Sequence, residues 1–492
     1  LKWPVGKLPL SPASSPFCSE TAGEISPSAI DASCRVPLFA LFGGAAFWLA
    51  LSSVFGLIAS LTFHSPKMFA DSAILSYGRA YPAWSNLLLF GFCVPAGLGV
   101  GLWLLARLGR TPLSRPWLVW VGAKLWHLGI FVGLVAILTG NSTGFEWLEM
   151  PRYAAVILFI GFTLIALCGF ATHSAREHRA PFPSQWFVLA ALFVFPWIYS
   201  TAILLLEVFP VRGMAQAAIA WWFSGNFLNV WLPLAGFAAT FYLLPKLTSR
   251  PLQSFYSALF AFWTLILFGT WTGIPAHAAL PAWMPTLSGA AAWMMLIPVL
   301  TVAAIAILTC RGSKTPCGGG PLCFTKFGVA SFVLATLLLV LTACPAVSRV
   351  TDYTWFTHGR TTLLVYGFFA MTMLGAIYHI FPGIVGEGRV CPKWMRINFW
   401  LVMPGIVLFA LPLIAGGVIQ GLKWLNPEIS NVDVAKSFLM PFRISTLGET
   451  LLLLGNLVFL FNIGSAMVGH YLAIFKSAYV EVTTVETAEV KS

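Results

Sequence analysis

Eight histidines carry most of the chemistry that this 492-residue chain could perform: His64, His127, His173, His178, His277, His358, His379 and His470. Imidazole is the commonest side-chain ligand for a transition metal and titrates near neutral pH. His173 and His178 share a short basic segment with Arg176 and Arg179, which reads as a solvated loop. His64 and His470 fall at the ends of apolar runs and read as interfacial. His127 and His379 lie inside such runs, where an ionisable group is by default a functional hypothesis; a hydrogen bond between two helices is the competing and preferred account of both. His277 and His358 complete the set of four that could ligate a metal, although His358 reads more simply as an interfacial residue. Two other groups stand out. Arg360 is placed to hold a carboxylate in the membrane, or else to bond Asp352 and loop carbonyls. Glu449, with Asn456 seven residues on along the same helical face, fits either a proton route or a surface pair with Arg443. The nine cysteines form no Cys-x-x-Cys, and Cys317 and Cys323, which flank a glycine run, read as unpaired thiols.

These residues are positioned by a membrane bundle. The chain is 59% hydrophobic and 9% charged, against about 25% charged residues in soluble domains, and its mean hydropathy is +0.85. The net charge of +12 is spread over short loops between apolar runs, so it marks topology and not a nucleic-acid partner. The apolar periods predict twelve transmembrane helices, at 37–63, 83–108, 117–139, 153–172, 185–208, 216–244, 254–275, 288–310, 327–346, 361–383, 397–420 and 446–475. Loops after even-numbered helices are the richer in Lys and Arg, which puts both termini in the cytoplasm. The expected division is a polar tail at 1–35, a transmembrane domain at 36–476 and a second polar tail at 477–492.

Five motifs recur in order along this bundle. The second helix opens on Gly78-Arg79-Ala80-Tyr81-Pro82-Ala83-Trp84-Ser85-Asn86. The sixth holds Trp221-Trp222-Phe223-Ser224-Gly225-Asn226, then Tyr242 and Pro245-Lys246. The seventh ends on Trp271-Thr272-Gly273-Ile274-Pro275-Ala276-His277, and the tenth carries Tyr366-Gly367-Phe368-Phe369 and Gly375-Ala376-Ile377-Tyr378. The eleventh includes Gln420-Gly421-Leu422-Lys423-Trp424. In this order they resemble subunit I of the heme-copper oxidases, most closely the C-type, or cbb-type, cytochrome c oxidases. The likeness covers about residues 37–475.

The resemblance implies an all-α bundle of twelve helices in the bacterial cytoplasmic membrane. It also implies a place for each family ligand, and the residues there are not histidines. The low-spin heme ligand on the second helix falls on Trp84, the copper ligands on Gly225, Pro275 and Ala276, and the heme ligands of the tenth helix on Arg360 and Thr362. The redox tyrosine of the seventh helix falls on Gly269. Indole has no lone pair for iron, and glycine has no side chain at all. Trp84 is expected to fill part of the low-spin heme volume, while Gly225 and Gly269 are expected to leave space. The resulting expectation is a subunit without catalytic residues, metal or resident cofactor. It would act as a structural or anchoring subunit beside a c-type cytochrome and other respiratory subunits. Two alternatives stay open: a redox subunit holding heme b through His127, His277, His358 or His379, and a proton or small-molecule conduit. The vacated volume is open to lipid or quinone.

Overall fold

The computed structural model describes residues 26–177, 180–313 and 318–489. His178, Arg179 and Cys317, and the outer parts of both expected tails, lie outside them. Every regular element among the described residues is a helix. Eleven helices are long and apolar enough to cross a membrane: α1 (Pro27–His64), α2 (Tyr77–Gly109), α3 (Pro116–Thr139), α4 (Arg152–Ser174), α5 (Pro183–Val208) and α6 (Met214–Thr248), then α8 (Trp283–Cys310), α9 (Pro321–Thr342), α10 (Trp355–Val385), α11 (Pro392–Trp424) and α12 (Leu439–Glu489). Between them, α7 (Phe255–Gly269) has 15 residues, a length of about 22 Å against a hydrocarbon core of about 30 Å.

The expected seventh helix therefore stops early. Gly273 has φ +115°, a conformation that suits glycine alone, and Pro275 follows. The stretch expected to end that helix is a loop. At both chain ends the helices outrun the hydropathy pattern. Ser26 caps α1 by accepting the amide of Ala29, with Pro27 at the first turn, so residues 27–35 are helical. At the far end α12 continues to Glu489. Apolar periodicity reports where a helix meets lipid or core, not where its hydrogen bonds end.

Three helices form the centre of the bundle. α2, α6 and α10 are buried along almost their whole apolar length, whereas α3, α4, α8, α11 and α12 each show about half of theirs to the outside. Each central helix contains a π-helical stretch: Leu87–Cys93 in α2, Phe227–Trp231 in α6 and Leu363–Ala370 in α10. In α2 and α6 the cause is local, because Pro95 and Pro233 follow directly and remove the amide that would bond back one turn. Peripheral pairs close the bundle, α11 along α12, α3 along α4, and α1 against α12. The break in α8 at Met295 sits three residues before Pro298, which has no amide to give the turn above it.

Candidate functional site

Of four π stretches among the described residues, the three in the central helices begin one to three residues after Trp84, Gly225 and Thr362, the positions that carry ligands in the resembled family, and the fourth, Leu204–Val208, ends α5. A π turn swings the following side chains around the helix and recurs at functional sites. The central helices thus keep the backbone of a ligand-bearing core, and what differs is the side chains in it.

Trp84 is 3% exposed. Its ring packs on Tyr81 and His358, each at 5.4 Å between centroids, and edge-on to Phe409. The void left beside it, lined by Gly56, Tyr81, His358, Phe409 and Glu449, is about 20 Å³, room for about one water. Trp84 Nε1, the Tyr366 hydroxyl and one Glu449 oxygen are buried in this region without a hydrogen-bond partner. Glu449 is 1% exposed, which corrects the expectation of a surface pair with Arg443: the turn of α12 that carries it faces α1, not lipid headgroups. At the position that holds the low-spin ligand in the resembled family stands an indole with about 20 Å³ beside it.

The surroundings of Gly225 are packed in another way. The expectation that Gly269 leaves space fails, while Gly225 is covered on one side by the chain after α7 and lines a cavity on another. A Cβ on Gly225 would run into the carbonyl oxygen of Thr272, and one on Gly273 would sit 2.7 Å from the Gly225 Cα. A Cβ on Gly269 would meet Val230 at 2.9 Å and the Asn229 carbonyl at 3.1 Å. The glycines let the chain after α7 lie backbone to backbone on α6. Asn229 Nδ2 donating to Thr272 Oγ1 at 3.0 Å and Asn226 Nδ2 donating to the Thr270 carbonyl at 3.2 Å tie that contact down. Pro275 and Ala276 lie in the loop, and no group of three His, Cys, Asp or Glu able to hold a metal exists among the described residues.

Above this contact a cavity of about 500 Å³ remains. Its wall brings together Trp221 and Gly225 of α6, Pro275 and Ala276 of the loop, Asp352, and Trp355, His358 and Arg360 at the start of α10, with Glu146 opposite. Thr362 is not part of it, because its hydroxyl donates to the His358 carbonyl at 3.0 Å. The wall therefore keeps volume where the family holds its second heme but presents no imidazole at the Thr362 position. His358 is enclosed between Trp84, Trp355 and Phe409, with Nδ1 3.2 Å from the Tyr81 hydroxyl. The expectation that it is interfacial fails because α10 starts six residues before the expected 361 and wraps it into the bundle.

Other candidates part company. In His127, Nδ1 accepts from Trp48 Nε1 at 3.0 Å, since an indole only donates, and Nε2 then donates to the Ala40 carbonyl at 3.0 Å. Both ring nitrogens are used, as expected of a helix–helix contact. His379 stands against Trp103 and Tyr242 and its ring makes no hydrogen bond among the described residues, where packing takes the place of the expected bond. His277 is exposed in the loop and pairs with Asp352 at 3.3 Å, which takes from Arg360 the partner expected for it. His470 is buried, not interfacial, and bonds the Val385 carbonyl at 3.0 Å. Cys323 is disulfide-bonded, so it is not a free thiol.

Two acidic residues near this end were not singled out by motif. Glu149 is 5% exposed and accepts from Asn86 Nδ2 at 2.7 Å, joining the α3–α4 loop to α2. Burial pushes its carboxyl up to about 7, against the pull of that hydrogen bond. Burial also raises Asp352, with the bond from His277 acting the other way. Arg79 of the same α2 motif donates to the Leu138 carbonyl at 2.9 Å, near the C-terminal end of α3, where a cation is favoured.

Residues 37–451 match the family model described as "Cytochrome C and Quinol oxidase polypeptide I". The chain belongs to this family. Among relatives it is 24% identical over 441 residues to the cytochrome c oxidase subunit 1 homolog of Azorhizobium caulinodans, covering 85% of this chain and 79% of that one. It is 23% identical over 432 residues to the cbb3-type cytochrome c oxidase subunit CcoN1 of Stutzerimonas stutzeri, covering 84% and 91%. A solved heme-copper terminal oxidase dimer has the same fold, with a TM-score of 0.68 at 15% identity over 88% of this chain and 84% of that one. The chain is a multi-span, all-helical protein of the bacterial cytoplasmic membrane.

Proposed function

We propose that this chain is a subunit I homologue that has given up its heme and copper and serves as a structural or anchoring subunit of a respiratory electron-transfer complex. Its partners would include a c-type cytochrome subunit, with both chain termini on the cytoplasmic side. The observation that carries the reading is the packing at Trp84: an indole stands at the low-spin ligand position and leaves about 20 Å³ beside it. The Gly225–Gly273 backbone contact supports it at the copper position. A scaffold needs the bundle and its surface, and both persist without the ligands. The test is an optical spectrum and metal analysis of the purified chain. Neither heme b nor copper is expected in stoichiometric amount, and a one-to-one heme signal would overturn the proposal.

One observation favours a second reading, in which heme is held by a relocated histidine. His358 lines the large cavity, its Nε2 makes no hydrogen bond among the described residues, and Tyr81 orients the ring through Nδ1. If heme is found, His358→Ala should abolish its signal. An unchanged spectrum in that variant sinks this reading.

A further inference from the structure

The cavity beside Arg360 has the volume of a small-molecule site, about 500 Å³, within the range of about 300–1,000 Å³ usual for such pockets. Its wall carries one guanidinium, Arg360, and two carboxyls, Asp352 and Glu146. Arg360 lies five residues into α10, about 7.5 Å below the start of the helix. It makes no hydrogen bond or ion pair among the described residues. The charge that acts on it is that of Asp352, whose carboxylate is already engaged by the His277 ring and the backbone at Ala276 and His277. Gln420 is 6% exposed. Its Oε1 accepts the Trp355 amide at 3.1 Å, its amide nitrogen makes no hydrogen bond among the described residues, and the residue lines the cavity. A guanidinium brings five more donors. A cation inside a membrane bundle is costly to leave without a hydrogen-bonded partner, and such residues mark ligand paths. The rest of the wall is mixed: Trp221, Leu228 and Leu339 give it an apolar side, while Ser224, Ser288 and Thr357 add polar groups. The mouth lies between Glu146, Ala276 and Tyr353, all exposed, which opens the site to water between loops.

We infer that this cavity binds an organic oxyanion, a carboxylate or phosphate on an apolar body, with the anionic group on Arg360 and Gln420 and the body against the tryptophans. Glu146 at the mouth disfavours a second negative charge, so the ligand is a monoanion with its charge at one end. The inference rests on the proposed absence of heme from this volume. The two can fail separately: a heme spectrum before any addition defeats the first reading, whereas the binding experiment tests the second on the heme-free chain.

The experiment is quenching of intrinsic tryptophan fluorescence in the full chain by 4-bromobenzoate, with 4-bromobenzamide as a neutral probe of the same shape. Benzoate should bind at least about tenfold more tightly than benzamide, the ratio expected when a charge-assisted hydrogen bond is made in a dry site. Arg360→Gln should erase that preference, Arg360→Lys should keep part of it, and Gln420→Leu should weaken benzoate alone. Each variant is accepted only if its circular dichroism and thermal midpoint match the parent. Displacement of the probe by vesicles containing phosphatidate, but not by phosphatidylcholine alone, assigns the oxyanion to a lipid; displacement by neither assigns it to a soluble acid. Equal binding of benzoate and benzamide, or an undiminished preference in Arg360→Gln, overturns the inference.

Discussion

Substituting Gly56 tests the Trp84 packing most directly. A methyl at Gly56 would sit 2.5 Å from Trp84 Cδ1 and 2.8 Å from Nε1, whereas carbon atoms in contact settle at about 3.5–4.0 Å. One side or the other must yield by about 1 Å. The indole has nowhere to go, because the void beside it is about 20 Å³ and its other faces rest on Tyr81, His358 and Phe409. Gly56→Ala should therefore cost about 1–3 kcal/mol, the usual range for overpacking. Trp84→Ala should cost about 3–5 kcal/mol as a large-to-small core change. Combined, the second change makes room for the first, so the double variant should be more stable than the sum predicts by about 1–3 kcal/mol. Equilibrium unfolding in mixed micelles, followed by circular dichroism, gives the four free energies of the cycle. A coupling below about 0.5 kcal/mol, or a neutral Gly56→Ala in the parent, would mean that the indole does not occupy this volume, and the case for a filled low-spin site would fall.

Three further outcomes follow from named contacts. Gly225→Ala should destabilise the chain more than Gly144→Ala, because a Cβ at 225 meets the Thr272 carbonyl while one at 144 meets nothing within 4 Å; equal midpoints would refute the backbone contact. Glu149 has its carboxyl raised from 4.5 to about 7, so the folded chain keeps a proton that the unfolded chain gives up across that window. Stability should fall as pH rises from about 4.5 to about 7, by up to about 3 kcal/mol, and level off above it; Glu149→Gln should flatten the slope, and an unchanged slope refutes the assignment. His127→Phe strands the Trp48 donor and the Ala40 carbonyl and should cost about 1–3 kcal/mol, with no change in the visible spectrum; a lost absorption band would instead make His127 a ligand.

The membrane bundle was legible in the sequence because lipid leaves a helix little choice: every backbone group must bond within the segment, so long apolar runs mark their own spans. The identities at Arg360 and Thr362 were equally plain, since a motif matched without gaps assigns each position a residue; Trp84 and Gly225 followed from their own motifs, and Pro275 and Ala276 from counting forward from Trp271. What such identities do to volume was not. Gly269 reads as a hole in one dimension, and only the approach of Val230 and the Asn229 backbone from α6 fills it. His358 and Glu449 read as interfacial from their distance to a hydropathy edge, yet both are enclosed, because helix bounds and facing are decided by capping and by neighbours. Arg360 drew attention in the sequence as an unusual charge. That Asp352 is already committed to His277, and that Gln420 from another helix brings a second free donor to the same wall, are pairings between distant segments. Sequence supplied the groups and their helices; which of them are left without partners is a property of packing in three dimensions.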